Sequence, residues 1–184
     1  GADGGQLTGP HVVNVMEEVR KSQSVDEIKF TALEDKIETI GKAMDEKYLE
    51  TILKLSISKK AIQNQHDLAI VFSPIHGTGG VLVPPALERF GFTNVQLVEE
   101  QMVVDGNFPT VIYPNPEEEE ALTMALNQAK ATNAELVMAN DPDADRVGIA
   151  IKNGEGEFVL LNGNQTAALL INYVMTAWQD SVKL

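Results

Sequence analysis

The 184-residue sequence has no cysteine, one tryptophan and 14 bases against 27 acids. Without cysteine there can be no disulfide, no thiol nucleophile and no thiolate zinc site. Redox chemistry therefore does not constrain the compartment, and a cytoplasmic location is the default expectation. The net charge of -13 argues against nucleic-acid backbones and anionic membranes as general partners. It leaves open a local phosphate site. No apolar run approaches the roughly 20 residues that span a bilayer, and the N-terminus has neither a basic stretch nor the apolar segment of a secretion signal. The chain opens Gly1-Ala2-Asp3-Gly4-Gly5 without an initiator methionine, which reads as a piece of something longer. An apolar content of 43% is ample for a packed core.

Val12, Val15, Met16 and Val19 recur at helical spacing within His11–Arg20, and the polar stretch from Ser22 to Phe30 reads as a connector. A boundary is therefore expected near Phe30. From Ala43 to Asn64 the positions Met44, Tyr48, Leu49, Ile52, Leu53, Leu55, Ile57 and Ile62 suggest one core-covering helix. Leu68–Phe72 is a continuous apolar run of the kind buried in parallel sheets. It empties into Ser73-Pro74-Ile75-His76-Gly77-Thr78-Gly79-Gly80, after which Val81–Phe90 reads as a helix stopped by Gly91. Val95–Val98 is a short strand, and the stretch from Met102 to Tyr113 a long surface loop. Asn115 is placed as an N-cap and Pro116 as the first helical residue. Glu117–Glu120 would then lie at the positive helix end, with Glu118 completing a capping box and the helix running to Thr132-Asn133.

Leu136–Ala139 is a further strand, and Val147–Ile151 with Glu157–Leu161 forms a hairpin around Lys152-Asn153-Gly154-Glu155-Gly156. A last helix follows, capped within Asn162–Thr166. The order β-α-β-α-β-β-α predicts an α/β fold, a three-layer α/β/α arrangement around a mostly parallel, four-stranded mixed sheet with one antiparallel strand.

Between the third strand and the hairpin lies Asn140-Asp141-Pro142-Asp143-Ala144-Asp145-Arg146. Carboxylates crowded on a loop at a strand's C-terminal end repel one another and favour a cation. An oxygen-only donor set suits Mg²⁺ or Ca²⁺ rather than zinc. Asp141, Asp143 and Asp145 match the first, third and fifth positions of an EF-hand loop, but Arg146 stands at the sixth, where its glycine belongs, and Lys152 at the twelfth, where its glutamate belongs. An aspartyl-phosphate hydrolase site, with Asp141 as nucleophile and Asp143 as acid-base, is one alternative. A solvated acidic turn is another. The third reading is a Mg²⁺ site with positions open for a phosphate oxygen, beside which Arg146 can bind the same phosphate. The Gly77, Gly79 and Gly80 loop is neither a dinucleotide fingerprint nor a Walker A motif, so no nucleotide is implied. His76 is either near the reacting groups or a loop-shaping residue, whereas His11 and His66 read as surface or linker residues.

Asp141-Pro142-Asp143-Ala144-Asp145-Arg146 resembles the metal loop of the α-D-phosphohexomutase family, which includes phosphoglucomutases and phosphomannomutases. Ile75-His76-Gly77-Thr78-Gly79-Gly80 resembles that family's Gly-rich loop. Phe108-Pro109-Thr110, Pro114-Asn115-Pro116-Glu117-Glu118 and Leu161-Asn162-Gly163-Asn164-Gln165 follow in matching order. Asp3-Gly4-Gly5-Gln6-Leu7 with Pro10-His11 is similar to the tail of the family's first domain. The resemblance implies residues 1–30 as a remnant of that domain and residues 31–184 as the metal-binding second domain. It implies transfer of a phosphoryl group between the C1 and C6 oxygens of a hexose, glucose or mannose phosphate, through a phosphoserine and a bisphosphorylated intermediate. Asp141, Asp143 and Asp145 would hold Mg²⁺, Arg146 would act catalytically and on substrate, and His76 and Gly77 would contact substrate. Partners would be the hexose phosphate and other domains of the same chain, with no nucleic acid and no membrane. No Ser-His-Asn-Pro setting for the phosphoserine occurs in the sequence, so the chain alone is expected not to turn over. A stand-alone Mg²⁺- or phosphate-binding module is the competing class.

Overall fold

The structure, a computed structural model, describes residues 1–182. Two compact units are present, Gly1–Ile40 and Gly41–Leu184. In the first, α1 (His11–Lys21) matches the expected amphipathic helix but buries none of its residues. Single 3₁₀ turns follow at Val25–Glu27 and Glu34–Lys36, the first capped by the Ser24 side chain, which accepts from the Asp26 N–H.

Among the described residues the second unit is built on five strands, β1 (Ile70–Ser73), β2 (Val95–Leu97), β3 (Leu136–Asn140), β4 (Val147–Lys152) and β5 (Phe158–Leu161), in the order β2-β1-β3-β4-β5. The sheet has one strand more than the four expected, because both arms of the hairpin join it. β2, β1 and β3 run parallel, β4 is antiparallel to β3, and β5 is antiparallel to β4. Four strands thus point one way. Between β1 and β2 runs α4 (Gly79–Phe90), and between β2 and β3 runs α5 (Thr123–Thr132). The chain steps outward from β1 to β2 and then back across to β3, so right-handed crossovers send the two helices to opposite faces. Val71 and Val137 pack with Ala125 and Ala129 of α5 in one cluster, and Ala139 joins Ala121, Leu122 and Ile75 in another.

Two expected helices are revised. Residues 43–64 form not one helix but two, α2 (Gly41–Leu53) and α3 (Lys59–Asn64). Between them the N–H groups of Lys54, Leu55 and Ser56 bond three residues back, to Thr51, Ile52 and Leu53, so the helix tightens and ends before Ser56-Ile57-Ser58. The helix expected from Pro116 begins only at Thr123. Asn115 does accept the Glu117 N–H as a cap would, at 3.2 Å. Pro116, however, is pressed on Gly148 of β4, where a Cβ would stand 2.0 Å from the Pro116 oxygen. Glu120 turns back to accept the Ile112 N–H, so residues 115–122 stay in successive turns.

Other local expectations hold. Gly91 ends α4 at φ 110°, a conformation that suits glycine. α6 (Gly163–Val182) opens on a reciprocal box in which the Asn162 side chain accepts the Gln165 N–H and the Gln165 side chain accepts the Asn162 N–H, both at 2.9 Å. Among the described residues no helix is long and apolar enough to cross a membrane.

Candidate metal centre

Parallel pairing aligns Ser73 with Ala139, so the loops leaving β1 and β3 emerge side by side at one sheet edge. Antiparallel pairing of Asn140 with Val147 makes residues 141–146 the connection between β3 and β4. The Asn140 side chain donates to the Arg146 carbonyl at 2.9 Å and closes the base of this loop. Inside it, the Ala144 N–H returns to the Asp141 carbonyl at 3.0 Å, with Pro142 opening the turn and Ala144 at φ 60°. The three aspartates are thereby gathered: one carboxylate oxygen from each of Asp141, Asp143 and Asp145 lies within 4.8 Å of the others.

The three differ in environment. Asp141 is 1% exposed and accepts the Arg146 N–H and the Arg146 Nε, both at 2.9 Å. Burial opposes its ionised form, but the two Arg146 bonds, together with hydrogen bonds from the Asp143 and Asp145 carboxyls, outweigh it and hold its pKa below the ordinary carboxylate range. Asp145 is exposed and pushed the other way, first by its contact with the Asp141 carboxyl and then by the charges of Asp143 and Asp141. Arg146 also donates to Asn115 Oδ1 at 3.2 Å and lies 3.8 Å from Asp145. Its side chain stays about half exposed, at 47%. Crowded acids with one anchored member form a donor set that a hard divalent cation would relieve.

The loop leaving β1 carries the predicted His76 and Gly77. A Cβ on Gly77 would stand 2.3 Å from Pro142 Cα, so the two backbones meet where only glycine fits. Thr78 donates twice to the Pro142 carbonyl, from its N–H at 2.9 Å and its hydroxyl at 3.1 Å. His76 is 2% exposed, and both ring nitrogens are engaged: Nδ1 with the Val103 carbonyl and Nε2 with the Thr110 hydroxyl, each at 2.8 Å. A carbonyl only accepts, so in the neutral ring Nδ1 carries the proton and Nε2 accepts from Thr110. Thr110 in turn accepts from Gln101, whose Oε1 accepts from Ser73, whose oxygen accepts the Ile75 N–H. This closed relay holds Ile75 and His76 at φ 45° and 60°. Positive φ is a strained conformation for a β-branched residue such as Ile75.

The structure thus brings Asp141, Asp143, Asp145, Arg146 and Gly77 into one cluster, while the His76 ring turns away into the 101–110 segment. Sequence reasoning missed Thr78, Gln101 and the second role of Asn115. Thr78 was visible only as part of a Gly-rich loop, and no pattern marks Gln101 as a fully buried polar residue. A cleft of about 650 Å³ opens beside the loop, with Thr78, Gly79, Asn140 and Asp143 on one side and Tyr48 and Ile52 of α2 on the other.

Residues 46–154 match the family profile described as phosphoglucomutase/phosphomannomutase, alpha/beta/alpha domain II. The chain belongs to this family. A phosphoglucomutase of Staphylococcus haemolyticus is 34% identical over 179 residues, 95% of this chain and 32% of that protein. A phosphoglucomutase of Staphylococcus aureus strain USA300 is 42% identical over 120 residues, 62% of this chain and 22% of that protein. An X-ray structure of a phosphoglucomutase/phosphomannomutase family protein from Burkholderia thailandensis is similar with a TM-score of 0.42 and 26% identity, covering 59% of this chain and 23% of that one. The chain spans a third or less of the length of the curated relatives it matches. The profile match includes both the Gly-rich loop and the aspartate loop, the two segments that meet at Gly77 and Pro142.

Proposed function

We propose that this chain is the metal-binding second domain of a cytoplasmic phosphohexomutase, with residues 1–30 the tail of its first domain. The whole enzyme interconverts hexose 1-phosphate and hexose 6-phosphate, glucose or mannose being the sugar, through a phosphoserine outside this chain and a bisphosphorylated intermediate. The single observation that carries the reading is the gathering of Asp141, Asp143 and Asp145 oxygens within 4.8 Å inside the segment that matches the family's second domain. These three residues would hold Mg²⁺. When bound, the ion neutralises charge on the phosphoryl group as it moves.

The chain's own residues supply the rest. The Asp141 carboxylate orients Arg146 by accepting from its backbone N–H and its Nε, leaving the half-exposed guanidinium to offer remaining N–H donors to phosphate. Gly77 lets the aspartate loop close against the Gly-rich loop, and His76 contributes by holding that loop in its strained path. Asp141 is poorly suited to attack phosphorus, since it is buried and both its oxygens already accept from Arg146. That counts against the aspartyl-phosphate alternative, which needs an exposed nucleophile.

Incubation of the purified chain with glucose 1-phosphate, the bisphosphate and Mg²⁺ is expected to give no glucose 6-phosphate. Sustained turnover by the chain alone would overturn the assignment of the phosphoserine to another part of the enzyme.

A further inference from the structure

We propose that Thr78 is a positioning residue for the aspartate loop, acting through the carbonyl of Pro142. The proposal rests on the metal-site reading above and assigns a residue that the ligand set itself does not include. Asp141 is held by two bonds from Arg146, and Asp145 lies beside the same guanidinium. Asp143 follows Pro142, which has no N–H to be held by. What fixes the Pro142–Asp143 peptide is its carbonyl oxygen, and both donors of Thr78 converge on it, at 2.9 Å and 3.1 Å. Two donors on one carbonyl restrict the rotation of the peptide plane from which Asp143 departs.

A simpler role for Thr78 would be to cap α4, which it immediately precedes. Capping threonines accept from the second or third N–H of their own helix, but here the side chain makes no such bond. The hydroxyl is instead directed to a residue 64 positions away. Thr78 is in turn rigidly placed. Its backbone has helical angles, φ -75° and ψ -20°, its carbonyl accepts the Val81 N–H, and Gly77 before it is pressed on Pro142. The first turn of α4 and the aspartate loop therefore form one unit, joined by a hydroxyl that α4 itself does not use.

The test is Mn²⁺ binding to the full chain, read from the electron paramagnetic resonance signal of free ion, with the metal-free melting curve recorded alongside. Thr78→Val, which keeps shape and removes the hydroxyl, is expected to bind Mn²⁺ roughly tenfold more weakly, and Thr78→Ser to stay within about twofold of wild type. Thr78→Ala serves as a second hydroxyl deletion should the valine variant not fold. Wild-type affinity in a folded hydroxyl deletion overturns the proposal, as does a serine variant as weak as the valine one. The two readings separate through Asp143→Ala. If this substitution abolishes tight Mn²⁺ binding while Thr78→Val does not weaken it, the metal site stands and the Thr78 role falls. If wild type shows no Mn²⁺ site that Asp143→Ala removes, both fall.

Discussion

Gly77→Ala tests the meeting of the two loops. The added Cβ would lie 2.3 Å from Pro142 Cα, 2.5 Å from its oxygen and 2.8 Å from its carbonyl carbon, where ordinary contact begins at 3.4 Å. All three atoms are backbone, so no flexible side chain can swing aside, and the loops must part by about 1 Å or bend elsewhere. Overpacking of this kind costs about 1–3 kcal/mol, and rigid neighbours place this case in the upper half of that range. For a chain of this size the melting temperature should fall by roughly 4–12 °C. The Thr78 bonds to Pro142 must lengthen in the same movement, so Mn²⁺ binding should weaken together with stability. Gly154→Ala is the control: no atom lies within 4 Å of its Cβ position, and its melting temperature should match wild type. Thermal denaturation followed by circular dichroism, with and without Mn²⁺, reads both effects. A Gly77→Ala protein that melts and binds metal like wild type would refute the steric argument.

Three further outcomes follow from the site. His76→Phe leaves the Val103 carbonyl and the Thr110 hydroxyl without their buried partner and should cost about 2–4 kcal/mol in urea unfolding; a loss below 1 kcal/mol would show that the relay is not a structural unit. Arg146→Gln removes the guanidinium that helps hold Asp141 below the usual carboxylate range. Because that folded-state pKa is lowered, the stability it contributes is complete above the unfolded value of about 3.9 and is lost as pH falls through the lowered one. The stability gap between wild type and Arg146→Gln should therefore be full at pH 7 and close in strong acid, whereas a pH-independent gap would contradict the assignment. Asp145 has the opposite sign, since its raised pKa means that the folded state disfavours its ionised form. Asp145→Asn should make the metal-free protein more stable at pH 7 and bind Mg²⁺ more weakly; lower metal-free stability would show that the three acids are not under mutual repulsion.

Much of the frame was legible because local chemistry and tertiary structure agree. The apolar run before Ser73 became β1, Gly91 stopped α4, and Asn162 with Gln165 capped α6. The turn around Asn153, whose side chain accepts from Glu155 and Glu157 N–H groups, set the hairpin. The convergence of the three aspartates was legible for the same reason, since Pro142 and the alternation of acids need only a short turn to bring their carboxylates together. What was missed depends on partners distant in sequence. Pro116 had every local reason to start a helix, but β4 lies against it at Gly148. Arg146 and Glu117 both draw on Asn115 Oδ1, so the residue read as a cap also holds the arginine of the aspartate loop. The break between α2 and α3 had a weak local sign in Ser56 and Ser58, hidden by the apolar period running through Leu55 and Ile57. Thr78 and Gln101 had none, because a hydroxyl or amide shows its purpose only when the atom it meets is known.

Paramagnetic broadening of backbone amide resonances by substoichiometric Mn²⁺ tests the metal centre most directly, because the net charge of -13 also offers the ion many weak surface sites. Resonances of residues 141–146 and of Gly77–Gly79 are expected to broaden first and selectively, and Asp143→Ala to remove this effect. Broadening spread evenly over the acidic surface, including Glu117–Glu120, and unchanged by Asp143→Ala would contradict a cation site at the three aspartates.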